Sequence, residues 1–173
     1  IARGAAAAGD VATAARAMLA ASIHEPDAAT ARAGLDAGLR LAASIEPAVA
    51  GAAGDAGDDA DPLKDRWPAA VDPVRGEDPL LAGVRLAAQR DPDLPELDRW
   101  RSIAAARLIT SGRDRDAARL LEAVSRDGAE SSSALVMQVA IAHERLREVQ
   151  ATGDAATVVA AATDLRRRLD EAR

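Results

Sequence analysis

The chain has 173 residues, a formal net charge of −6 and no cysteine, so disulfides and thiolate metal sites are excluded. Net acidity with only two Trp and no Phe or Tyr argues against a general nucleic-acid binder, which needs a basic face and stacking platforms. Ala supplies 46 residues and Leu, Ile, Val, Met and Trp together only 38, which predicts an all-α fold with a thin core. Arg outnumbers Lys 21 to 1, a bias that together with the Ala and Gly excess points to a GC-rich bacterial genome.

Residues 1–8 read as the end of a helix halted by Gly9. Asp10 then caps a helix to about Ser22, with Ala14, Ala17, Met18 and Ala21 on one side. Pro26 ends it, since the residue before a proline is disfavoured in helical geometry. Asp27 caps the next helix, to about Ile45, with Leu35, Leu39 and Ala42 inward. Gly34 and Gly38 lie one turn apart on it, either as a close helix crossing or as two tolerated glycines.

Residues 47–76 interrupt the pattern with Pro47, Pro62, Pro68 and Pro73 and an acidic run of Asp55, Asp58, Asp59 and Asp61. They read as a loop followed by an extended segment docked through Trp67. A calcium loop fails on spacing: counted from Asp55, the sixth place is Ala60 instead of Gly and the twelfth is Arg66 instead of Glu. The expected organisation is an N-terminal hairpin over 1–46, this linker over 47–76 and a helical region over 77–173.

Helices resume over about 77–90, with Leu81, Val84 and Ala88 inward. The run Asp93-Leu94-Pro95-Glu96 signals the start of a helix to about Thr110 that carries Leu97, Trp100, Ile103, Ala104 and Leu108. Over 111–126 a glycine and a charged residue precede Ala117, Leu120, Leu121 and Val124, a stripe at helical spacing. Ser131–Ser133 offer caps for a longer helix to Ala151, with Leu135, Val139, Ala142, Leu146 and Val149 inward. A last helix from Asp154 to about Glu171 turns Val158, Ala161, Ala162, Leu165 and Leu169 inward and places Arg166, Arg167 and Arg168 near its C-terminal end.

The glycine-anchored helices resemble tetratricopeptide repeats. From Gly9, the positions of Ala14, Met18, Ala21 and Pro26 match that family's second helix, and from Gly112 those of Ala117, Leu121 and Val124 do. Trp100, Ile103 and Ala104 resemble its first-helix signature, and Asp-Arg-Trp occurs at both Asp65–Trp67 and Asp98–Trp100. The anchors are unevenly spaced, and Arg85 and Ala162 occupy places where the family has large apolar residues. The resemblance implies antiparallel helical hairpins stacked as a short repeat-like array; an irregular up-and-down helical bundle is the alternative.

No catalytic or cofactor motif stands out. Arg147 occupies the place where a second zinc-binding histidine would follow His143, and Ser22 beside His24 lacks an orienting acid. The expectation is therefore a non-enzymatic chain without cofactor or metal. Arg107, Arg113, Arg115 and Arg119 cluster around one inter-helix turn, suiting an acidic peptide or carboxylate, or else forming a solvated face balanced by nearby Asp and Glu. Trp100 reads as core or as a ligand platform, and Trp67 as an anchor on the fold or a partner contact. Two functions follow: a protein–protein interaction module that receives a peptide or helix in an inter-helix groove, or a ligand-sensing bundle that is the soluble part of a larger or membrane-tethered protein. No apolar run approaches the ~20 residues of a membrane span. Cytoplasmic placement is expected; because the chain begins at Ile1 rather than Met, an extracytoplasmic domain whose N-terminal anchor was removed is the alternative.

Overall fold

The structure, a computed structural model, describes residues 11–45 and 78–171. Among them every regular element is an α-helix and no strand forms: α1 (Val11–His24), α2 (Ala28–Ala43), α3 (Pro79–Arg90), α4 (Leu97–Thr110), α5 (Asp114–Glu122), α6 (Ser131–Thr152) and α7 (Ala155–Glu171). Gly9, Asp10, Trp67 and the whole of 47–76 lie outside the described residues. The helices fall into two compact units divided between Trp100 and Arg101, within α4.

In the first unit, local chemistry sets the helix starts. Asp27 accepts the Thr30 N–H at 2.7 Å, so α2 begins where its sequence predicts. Asp78 accepts the Leu80 N–H at 2.8 Å and Pro79 occupies the first turn of α3, where its missing N–H costs nothing. The three-residue connection turns α2 back on α1. A Cβ added to Gly38 would stand 2.8 Å from Leu19 Cγ and one added to Gly34 3.2 Å from Ser22 Cβ, the register of an antiparallel pair. The close-crossing reading of these glycines therefore holds.

The core register of α1 differs from expectation. Leu19 and Ser22 are buried, Met18 is half-buried and Ala21 is exposed. Leu19 is the largest apolar side chain on the helix face opposite Gly38, and it fills the space that glycine leaves. Helix α3 crosses both partners at Gly83, where an added Cβ would meet Leu39 Cδ2 at 2.8 Å and Leu19 Cδ1 at 3.0 Å. Only Arg85, Gln89 and Arg90 of α3 are exposed, as for a helix packed on most of its circumference. Helix α3 thus packs on both helices of the α1/α2 hairpin.

Helix α4 begins at Leu97, four residues beyond Asp93. Pro95 disfavours helical geometry at Leu94, and the chain instead makes a tight turn in which Leu97 N–H reaches Leu94 O at 3.0 Å. Leu94, Leu97 and Trp100 are all buried.

In the second unit, α4 ends in a Schellman motif. Gly112 has φ +71, and the Arg113 and Gly112 N–H groups close on Leu108 O and Ile109 O at 2.8 and 3.0 Å. Arg101 donates to Ala123 O at 2.8 Å and ties α4 to the end of α5. Ala117, Leu121 and Val124 are buried, while Leu120 is half-buried. Ser131 is the first residue of α6 rather than its cap. Glu130, in the cap position, already has helical angles (φ −89, ψ −4), which leaves no extended residue to set a hydroxyl over the first N–H groups.

Helices α6 and α7 form an antiparallel hairpin held across by Arg168 donating to Gln138 Oε1 at 2.9 Å. Asp154 caps α7, accepting from the Thr157 N–H at 2.9 Å and its hydroxyl at 3.0 Å. The hairpin core is thinner than its stripes suggest: only Ala134, Ala142 and Ala161 are buried, and Leu135, Val139, Leu146, Val149, Val158 and Leu165 are half-buried. Ala162 and Leu169 are exposed. A two-helix seam covers each side chain from one side only.

Candidate functional site

An open-sided groove of about 810 Å³ lies in the first unit. One wall is the N-terminal half of α2 with the α1–α2 turn, and the other is the α3–α4 connection. Exposed Ala28, Ala29 and Ala33 floor it, Leu35 and Leu94 close its base, and Pro26 and Pro95 stand at its ends. Alanines permit this exposed face because they favour helix without needing burial, and they leave the floor free of long side chains.

Charge rims the groove. Arg32 Nε and Nη2 hold Asp91 Oδ2 and Oδ1 at 2.5 and 2.9 Å, a two-pronged pair that pins α2 to the end of α3. The hydrogen bond and charge of Asp91 push the Arg32 guanidinium above its ordinary range. Asp36 Oδ2 accepts from Arg40 at 2.8 Å, one turn along α2, while its Oδ1 is shielded from solvent and has no hydrogen-bond partner among the described residues. Glu96 meets Arg99 at 3.4 Å, and Glu25 accepts the Asp27 N–H at 3.2 Å. The lining thus sets Glu25, Asp36, Asp91 and Glu96 against Arg32 and Arg90.

The arginines singled out from sequence lie elsewhere. Arg113 gives both Nε and Nη2 to Asp116, at 3.0 and 2.7 Å, and Arg119 approaches the same carboxylate at 4.0 Å. Arg115 is exposed on α5, one turn from Arg119, and Arg107 is half-buried near the end of α4. Trp100 is only 3% exposed, with Arg99 5.7 Å from its ring centre, so its indole belongs to the core. Trp67 lies outside the described residues.

A smaller cleft of about 300 Å³ in the second unit lies among α5, α6 and α7. Of its three arginines, Arg126, Arg167 and Arg168, two are paired internally: Arg168 reaches Gln138, Asp164 at 3.2 Å and Glu122 at 3.7 Å, and Arg167 reaches Asp164 at 2.7 Å and Glu171 at 2.8 Å. Burial pushes the Asp164 carboxyl up, but its hydrogen bonds from Arg167 and Arg168 outweigh that and hold it below the usual range. His24 and His143 are both exposed. Among the described residues no three His, Cys, Asp or Glu side chains gather as a metal would require, and no helix is long and apolar enough to cross a membrane.

The groove residues Glu25, Arg32, Asp36, Asp91 and Glu96 carry no local motif. Arg32 and Asp91 are 59 positions apart, and only the fold brings them together. The alanines repeating along the outer face of α2 were the one readable signal, since an exposed helix face ordinarily carries charge. No protein-family model, curated protein or solved structure matches this chain.

Proposed function

We propose that this chain is a non-catalytic protein–protein interaction module that receives a peptide or helix of a partner in the groove on α2. The observation that supports this reading is the groove's alanine floor, kept open between walls pinned by Arg32 and Asp91. Small side chains let a docked helix approach to the low end of the ~8–10 Å range of helix packing. Leu35 and Leu94, both buried, support the groove from beneath. The antiparallel hairpins are read as tetratricopeptide-like units, whose stacking generates grooves of this kind.

Selection of a random 16-residue peptide display library on the full chain tests the reading. The comparison protein carries Ala29→Gln and Ala33→Gln, two neutral helix formers that fill the floor at exposed positions. Circular dichroism checks that the pair leaves the fold intact. The expected outcome is a set of enriched peptides that bind the native chain and lose at least about tenfold in affinity on the filled variant. Equal binding to both proteins would remove the groove from the account.

A further inference from the structure

We infer that the partner segment is basic, presenting Lys or Arg to the carboxylates of the groove; this inference rests on the groove being the docking site. Any segment that covers the groove takes Glu25 and Asp36 out of water. Among the described residues Glu25 faces no cation, and Asp36 already has one oxygen shielded and without a partner. Burying such carboxylates uncompensated is costly, so an occupant that binds must bring its own donors.

The cations already present do not remove that requirement. Of the two arginines in the lining, Arg32 is committed to Asp91, which leaves Arg90 against Glu25, Asp36 and Glu96. Arg40 on Asp36 and Arg99 on Glu96 are local pairs, three or four residues apart, whose arginine side chains are mostly exposed, at 62% and 58%, and such pairs hold weakly and exchange readily for an incoming cation. The chain's net charge of −6 adds a long-range pull on the same class of partner. An acidic segment would meet four carboxylates against two arginines at the lining, one of those arginines already taken by Asp91.

The charge of the peptides enriched on the native chain tests the inference. The expected result is an excess of Lys and Arg, with affinity of a representative peptide falling about fivefold in each of Glu25→Gln and Asp36→Asn and falling further as salt rises from about 50 to 300 mM. Groove-dependent peptides that are neutral or acidic, or basic peptides indifferent to both substitutions, would overturn the inference and leave the groove reading standing. Absence of any peptide sensitive to the filled floor would overturn both. Both substitutions conserve shape, and thermal melts of each variant separate loss of binding from loss of fold.

Discussion

At the residue scale, the first unit depends on one leucine set against two glycines. A Cβ at Gly38 meets Leu19 at its branch point and within 3.3 Å of its backbone nitrogen, atoms that cannot swing aside. A Cβ at Gly83 meets mostly the terminal methyls of Leu39 and Leu19, which can. Gly38→Ala should therefore destabilise by about 1–3 kcal/mol despite the better helix propensity of Ala, and Gly83→Ala by less, as measured by urea unfolding. Equal effects would show that the nesting is looser than described. Asp164 gives a pH-dependent counterpart in the second unit. Its carboxyl is held below its unfolded value, so its contribution is present above about pH 4 and is lost as pH falls through the folded value. Asp164→Asn should lower the melting temperature at pH 7, and the gap to the native chain should narrow progressively as pH falls below about 4. A constant gap would mean that the contribution is not ionic.

At the scale of the element, caps and breaks were more legible than faces. Asp27, Asp154 and Gly112 act through their nearest neighbours, so the local sequence was sufficient to place them. The inward face of α1 was not legible. In a helix made mostly of alanine many faces look apolar, and the choice of Leu19 over Met18 is made by Gly38 and Gly83, which are remote in sequence. The start of α4 shows a conflict between two local rules, in which the proline's effect on Leu94 prevailed over the capping signal at Asp93. The stripes of α6 and α7 were found, but periodicity does not report how deeply a stripe is buried. Leu121 on α5 and Leu169 on α7 show how far two stripe leucines differ: Leu121 is 1% exposed and Leu169 46% exposed. Leu121→Ala should cost about 2–5 kcal/mol, and Leu169→Ala should fall within about 0.5 kcal/mol of the native chain in chemical unfolding. A large effect at Leu169 would indicate that its face is covered in solution.

At the scale of the molecule, the all-helical class followed directly from composition, since alanine is the best helix former and the aromatic strand formers are nearly absent. The groove did not follow, because its rim is assembled from the α1–α2 turn, α2 and the α3–α4 connection. Sequence drew attention to Arg113, Arg115 and Arg119, where one turn concentrates charge. The structure shows Arg113 held by its own helix and places the open concavity of the first unit on α2. The most direct test is amide chemical-shift mapping of the isotope-labelled full chain with a peptide selected on it. The account predicts perturbations concentrated in residues 25–36 and 90–96, with Arg115 and Arg119 unmoved. Shifts centred on α5, or spread evenly over the surface, would contradict it.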